Sequence, residues 1–167
     1  LFINDGSQDH SEDILKLLAH KNKHCFYYSF SRNFGKEAAM YAGLENASGD
    51  YVVIMDADLQ HPPYLLESMY QALKYEDYDC CAGKRIDRIG ENKLRNFLSH
   101  SFYKVIQYLT KMDMDDGAGD FRMMTRQMVD AILELKEYNR YMKGMFSFVG
   151  FNTKWLEFHN VERPAGK

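Results

Sequence analysis

The run Tyr51-Val52-Val53-Ile54-Met55, followed at once by Asp56-Ala57-Asp58-Leu59-Gln60, constrains the fold more than any other stretch of the chain. Five apolar or β-prone residues, entered from the turn-like Ser48-Gly49-Asp50, predict a buried strand. Two carboxylates then stand at its carboxyl end. Charge is costly in a core unless it is paired or metal-bound. In open α/β sheets, ligands collect beyond the carboxyl ends of the strands. Asp56 and Asp58 therefore point to a divalent cation, with an anionic ligand on that cation.

Strand and helix patterns alternate on either side. Phe2 and Ile3 end a strand, and Asn4-Asp5-Gly6-Ser7 turns. Ser11 is placed to cap a helix over Ile14, Leu15 and Leu18, with Glu12 and Asp13 in its first turn. Cys25 to Phe30 is a second strand. A helix over about 35–47 carries Ala38, Ala39, Ala42 and Gly43, small enough for close packing on a sheet. Pro62 and Pro63 suit the start of a helix through Leu65, Leu66, Met69 and Leu73, and Tyr78 to Gly83 is a fourth strand. Such alternation predicts an α/β fold with a mostly parallel sheet flanked by helices. After Lys84 the pattern changes. A long amphipathic helix covers about 92–110, and Phe121 to Met124 is a short strand. Thr125 is placed to cap a helix over 126–135, and Trp155 to His159 is a last strand.

A length of 167 residues suffices for one domain with a real core. The net charge of −3 gives no electrostatic footprint for nucleic acid. No apolar run approaches the ~18 residues of a membrane span. The opening Leu1-Phe2-Ile3-Asn4-Asp5 reads as a strand already under way, which predicts a piece of a longer protein. Cys25, Cys80 and Cys81 form no disulfide framework and no zinc spacing. A reducing, cytoplasmic compartment fits them.

Residues two apart on a strand face the same side, so Asp56 and Asp58 can reach one ion. Mg²⁺ and Mn²⁺ prefer oxygen ligands and keep positions open for phosphates, and Gln60 can add a neutral oxygen. The bland alternative is a solvated acidic turn. An EF-hand is the sharper rival, since Asp56, Asp58, Gln60 and Glu67 fall at its positions 1, 3, 5 and 12. It fails where geometry is strict: His61 stands where glycine is needed, and Pro62-Pro63 follow. Asp113, Asp115 and Asp116 read as a solvated turn. Between Lys84 and Arg95, five basic residues (Lys84, Arg85, Arg88, Lys93, Arg95) outweigh Asp87 and Glu91. This stretch leaves the fourth strand at the same sheet edge, where arginines can grip phosphate; in isolation it is also what a solvated face looks like. The 92–110 helix reads as core packing, or as a surface helix on a bilayer or partner. It is also a candidate homo-oligomer interface. Asp120, in Gly119-Asp120-Phe121-Arg122, says little alone, and a pairing with Arg122 or another base is its plain explanation.

Taken together, Ser31-Arg32-Asn33-Phe34-Gly35-Lys36-Glu37-Ala38-Ala39, Ala42-Gly43-Leu44, Ala47-Ser48-Gly49-Asp50 and Met55 to Pro63 resemble family 2 glycosyltransferases. Within them the chain is similar to the polyprenyl-phosphate branch, the bactoprenol glucosyltransferases and dolichol-phosphate mannosyltransferases. Gly119 to Arg122, Asn139 to Gly144 and Arg163-Pro164-Ala165-Gly166-Lys167 resemble later blocks of that branch. The resemblance implies one GT-A catalytic domain over 1–167, without the family's first strand and without the transmembrane helices that follow in bacterial members. It implies inverting transfer of a hexose from a UDP- or GDP-linked sugar to a polyprenyl phosphate, at the cytoplasmic face of a membrane. It assigns Asp5, Asp56 and Asp58 to the nucleotide sugar, and Asp56, Asp58 and Gln60 to Mg²⁺ or Mn²⁺. It assigns Arg85, Arg95, Ser99, Arg140 and Lys143 to the acceptor phosphate, and Asp58, Arg85 and Asp120 to the reacting centre. Two alternatives stay open: transfer to a saccharide hydroxyl, with Asp120 as general base, and a non-catalytic nucleotide-sugar-binding module. The Gln-x-x-Arg-Trp pattern of processive members is absent from the sequence.

Overall fold

The structure, a computed structural model, describes residues 1–86, 118–137 and 140–159. The chain divides into two compact units, Leu1–Gly49 with Leu133–Met142, and Asp50–Ile132 with Lys143–Lys167.

In the first unit, β1 (Phe2–Asn4), α1 (Ser11–Lys21), β2 (Tyr27–Ser29) and α2 (Lys36–Asn46) follow in order. β1 and β2 pair in parallel, Phe2 opposite Tyr27 and Asn4 opposite Ser29, as a helical crossover requires. Ser11 is the first helical residue and not the cap; the Asp9 carboxylate accepts its N–H at 3.0 Å. A carboxylate suits the orphan donors and the positive end of the helix dipole. On α2, Met40 and Leu44 are buried. A β-carbon at Gly43 would lie 3.5 Å from Ile3, so the small residues do bring this helix close to β1. Leu133 and Met142 both meet α2. Tyr41 donates its hydroxyl to the Leu133 carbonyl at 3.5 Å, and the Glu37 carboxylate accepts the Met142 N–H at 2.7 Å.

In the second unit, β3 (Tyr51–Ile54), α3 (Leu65–Tyr75), β4 (Cys80–Arg85), β5 (Ala118–Thr125), α4 (Arg126–Leu133), α5 (Met142–Phe148) and β6 (Thr153–Phe158) form and cover a sheet of order β3-β5-β4-β6. β4 and β6 pair in parallel, whereas β5 runs antiparallel to both β3 and β4. Three of the four strands thus share a direction. The expected alternation is present, but β3 and β4 are separated by the reversed β5. Phe121 and Met123 of β5 pack with Leu65, Met69, Ala72 and Leu73 of α3 and with Cys81 and Phe158. Arg122, of opposite parity, lies under α5, its guanidinium 3.8 Å from the Phe146 ring. Cys80 and Cys81 are both fully buried, which a sheet covered on both faces requires of neighbours on one strand.

Helix starts follow local chemistry. Leu65 and Leu66 donate to the carbonyls of Pro62 and Pro63 at 3.2 and 3.1 Å, so the prolines precede α3 where their missing N–H groups cost nothing. Thr125 does cap α4, its hydroxyl accepting the Met128 N–H at 3.4 Å. The helix expected over 92–110 lies outside the described residues, as does the cluster Asp113, Asp115 and Asp116.

Candidate active site

β3 ends at Ile54, which stands opposite Arg122 of β5. Beyond it the chain enters a tight turn. The Asp58 carboxylate accepts the Gln60 N–H at 3.1 Å, an Asx-type turn that fixes where one carboxylate oxygen points. Leu59, between them, holds φ at 61° with its side chain exposed. A leucine in this left-handed region costs about 1–2 kcal/mol, and such residues cluster at functional sites. The turn closes on His61, whose Nδ1 accepts the Asp56 N–H at 3.0 Å. Its ring lies against Phe121, 4.9 Å between centroids and within 10° of parallel.

The strand directions gather several expected site residues at one edge of this sheet. β5 runs against β3, so Asp120, two residues before Arg122, sits at the end where β3 releases Asp56 and Asp58. β4 runs with β3, and its carboxyl end brings Lys84 and Arg85 to that edge, Lys84 opposite Ala118. Val52 and Ile54 share a face with Arg122 and Met124; Asp120 lies in the stretch between Arg122 and Ala118 where the ladder with β4 shifts register. Arg122 is not free to act as a surface cation. It is nearly fully buried, one Nη donates to the Gly119 carbonyl at 3.0 Å, and its Nε has no hydrogen-bond partner. Burial pushes its guanidinium below the ordinary value, while Cys80 and Asp120 beside it act the other way.

The residues at this edge fit a hard divalent cation in part. Asp56, Asp58 and Gln60 offer only oxygen from their acceptor groups, as Mg²⁺ and Mn²⁺ require. Among the described residues no group of three or more His, Cys, Asp or Glu is placed to hold a metal ion by itself. Two carboxylates in an open turn suit a cation that keeps water and takes its other ligands from a substrate diphosphate.

In the first unit, Asp5 has a definite task. Its two carboxylate oxygens accept the N–H groups of Phe34, at 2.7 Å, and Gly35, at 2.9 Å, at the entrance to α2. Gly6 keeps the turn tight: its φ is +66°, and a β-carbon there would come within 2.4 Å of the Arg32 carbonyl carbon. Buried Asn4 adds to this corner, accepting the Ser7 N–H at 3.2 Å and donating to Ser29 at 3.3 Å. The Arg140 guanidinium lies 3.7 Å from the Tyr41 ring centroid, with its Nε buried and without a partner. Lys143 is half-buried on α5 in the second unit. Arg95 and Ser99 lie outside the described residues.

Sequence reasoning missed His61 except as a residue that spoils an EF-hand. The signal was present, an imidazole closing a polar pentad before two prolines, but its partner Phe121 lies far along the chain. It also missed that Asp5 binds backbone, because the loop it holds is remote in sequence.

The family model described as Glycosyl transferase family 2 matches residues 1–133. CsbB of Bacillus subtilis (strain 168) is 47% identical over 165 residues, which cover 99% of this chain and 50% of that protein. The bactoprenol glucosyl transferase of Shigella phage SfV is 41% identical over 170 residues, covering 99% and 54%. The chain therefore spans about half the length of the relatives it matches. Among solved structures, glucosyl-3-phosphoglycerate synthase from Mycobacterium tuberculosis, in complex with Mn²⁺ and UDP-glucose, superposes with a TM-score of 0.53 at 16% identity. That match covers 98% of this chain and 60% of the other. At such identity the likeness is one of fold.

Proposed function

From the premise that this chain belongs to glycosyl transferase family 2, we propose that it transfers a hexose from a nucleoside-diphosphate sugar to a polyprenyl phosphate. The observation that carries the proposal is the convergence at one sheet edge of Asp56 and Asp58, Asp120, and the basic end of β4, Lys84 and Arg85. Support for this acceptor class comes from identity to bactoprenol glucosyl transferases over nearly the whole chain.

The chemistry follows from charge. A phosphate monoester has a second pKa of about 6, so at neutral pH the acceptor is already an ionised nucleophile. A strong general base is then less necessary than for a sugar hydroxyl. The harder task is to bring two anions together. A divalent cation held by Asp56, Asp58 and Gln60 would neutralise the donor diphosphate and favour its departure. Arg85, with Arg95 and Ser99 from the segment that follows, would screen and orient the acceptor phosphate. Lys143 and Arg140 are further candidates for that role. Asp120 would orient a donor hydroxyl or a neighbouring base. Asp5 would serve the nucleotide by holding the 31–35 loop against the carboxyl ends of β1 and β2.

Work on a lipid-linked acceptor would put the active protein at a membrane surface, on the cytoplasmic side where nucleotide sugars are made. No helix among the described residues is long and apolar enough to cross a membrane. The test is a donor screen on the full-length protein with undecaprenyl phosphate, offering UDP-glucose, UDP-N-acetylhexosamine and GDP-mannose with Mg²⁺ or Mn²⁺. A polyprenyl-phosphate hexose product is expected. Transfer to free saccharides but never to the lipid phosphate would overturn the acceptor class.

A further inference from the structure

We infer that His61 is a positioning residue for the cation-binding turn, a clasp that ties the Asp56–Gln60 backbone to the aromatic core of the sheet. The inference rests on the reading that Asp56, Asp58 and Gln60 hold the cation. The last paired residue of β3 is Ile54, so the two carboxylates sit just past the end of the ladder. One bond closes the pentad across its base, from the Asp56 N–H to His61 Nδ1 at 3.0 Å. With Nδ1 accepting, the neutral ring carries its proton on Nε2.

The far side of the clasp is closely packed. The imidazole is 6% exposed and stacks on Phe121, which is completely buried. Phe121 in turn meets Phe158 edge to face, with centroids 6.1 Å apart and planes at 90°. Gly83 leaves the room for both rings: a β-carbon there would lie 2.8 Å from Phe158 and 2.9 Å from Phe121. The Asp56 backbone is thus linked through one imidazole to a column of rings from β5 and β6. Fixing the backbone of a loop residue costs conformational entropy. A turn ordered in advance does not meet that cost when the ligand binds. Carboxylates intended for one ion must be held within about 0.5 Å, and this clasp supplies the restraint from behind.

A plain core histidine would also be buried and stacked, and two substitutions separate the ideas. His61→Phe keeps the stack and roughly the volume but removes the acceptor, leaving the Asp56 N–H without its partner. His61→Asn removes the ring, yet its Oδ1 occupies the place of Nδ1 and can accept the same N–H. If His61 only fills space, Phe is the mild change and Asn the harmful one. If it is the clasp, the order reverses in cation binding.

The experiment titrates Mn²⁺ in the presence of UDP, followed by Mn²⁺ electron paramagnetic resonance, on the full-length protein and both variants. Metal-free amide exchange at Asp56 and Tm are measured alongside. His61→Phe is expected to weaken Mn²⁺ binding about tenfold, which corresponds to about 1.4 kcal/mol, and to speed exchange at Asp56. His61→Asn is expected to stay within about threefold of wild type in Mn²⁺ binding even where its Tm is lower. The opposite order overturns the inference. Should the Phe variant not fold, the Asn variant decides alone: near-normal Mn²⁺ binding with lowered Tm supports the clasp, and a parallel loss of both overturns it. Asp58→Ala runs as the control. If it binds Mn²⁺ with UDP like wild type, the cation reading itself fails, and metal-free exchange at Asp56 still judges the clasp.

Discussion

Ile54 and Arg122 face each other in the last rung between β3 and β5; Asp56 and Asp58 follow that rung on one strand, and Asp120 precedes it on the other. If these acids have the tasks proposed, mutation separates them. Asp58→Ala in the full-length enzyme is expected to lower kcat at least about a hundredfold, near 3 kcal/mol, on the scale of deleting one group that stabilises developing charge. Its Mn²⁺ binding with UDP is expected to fall as well. Asp120→Asn is expected to lower kcat while leaving that binding close to wild type. Steady-state kinetics with Mn²⁺ titration checks both, and wild-type turnover by the Asp58 variant at saturating metal contradicts the assignment.

Arg85 closes β4 beside that edge, half-buried, where its fork can meet a phosphate bidentately. Arg85→Ala is expected to raise KM for polyprenyl phosphate about tenfold and KM for the nucleotide sugar less than threefold. Arg95→Ala is expected to show the same bias. Arg85→Lys is expected to recover only part of the loss, since an ammonium keeps the charge and not the planar fork. Equal rises in both KM values would assign these arginines to something other than the acceptor.

Asp5 carries a structural task whatever the nucleotide does. Its carboxylate satisfies two N–H groups at the start of α2, charge-assisted bonds at the positive end of a helix. Asp5→Ala is expected to destabilise the fold by about 0.5–2 kcal/mol, the scale for losing a helix cap, since water can reach the exposed Phe34 N–H. Asp5→Asn, which keeps one acceptor oxygen, is expected to cost less. Urea denaturation reads both. If Asp5→Ala unfolds at the wild-type midpoint and loses only nucleotide affinity, the carboxylate acts on ligand alone.

Much of this was legible in sequence, and the exceptions share a cause. β3, α3 and the cap at Thr125 follow from local pattern: an apolar run, prolines before a helix, a hydroxyl three residues ahead of a bare N–H. The place of β5 does not. Its insertion between β3 and β4 is decided by pairing between distant segments, and its first residues, Ala118-Gly119-Asp120, read locally as a turn. α5 escaped because seven residues with Gly144 among them give little periodicity. The candidate site divides the same way. The acidic pair announces itself by sitting at the end of a buried strand. Asp5 and His61 were not legible because each meets a partner remote in sequence, Phe34 and Gly35 for one and Phe121 for the other.

The three cysteines offer a test that needs no ligand. Cys80 and Cys81 are fully buried, whereas Cys25 is partly exposed. Burial pushes the Cys81 thiol from 9.0 up to about 11 and raises Cys80 as well. Thiolate is the reactive form, so brief alkylation of the native protein near pH 8 is expected to label Cys25 and spare the β4 pair, which react once the chain is denatured. The same shift links folding to alkaline pH. The unfolded chain loses these protons near 9.0 while the folded chain keeps that of Cys81 to about 11. Over this window the native state binds more protons than the unfolded one, so stability falls as pH rises. The contribution is complete below 9.0 and lost through about 11. Cys81→Ala, measured by denaturant titration across that range, is expected to show a lower stability at pH 7 and a shallower alkaline decline. A decline as steep as wild type would place the alkaline titration elsewhere.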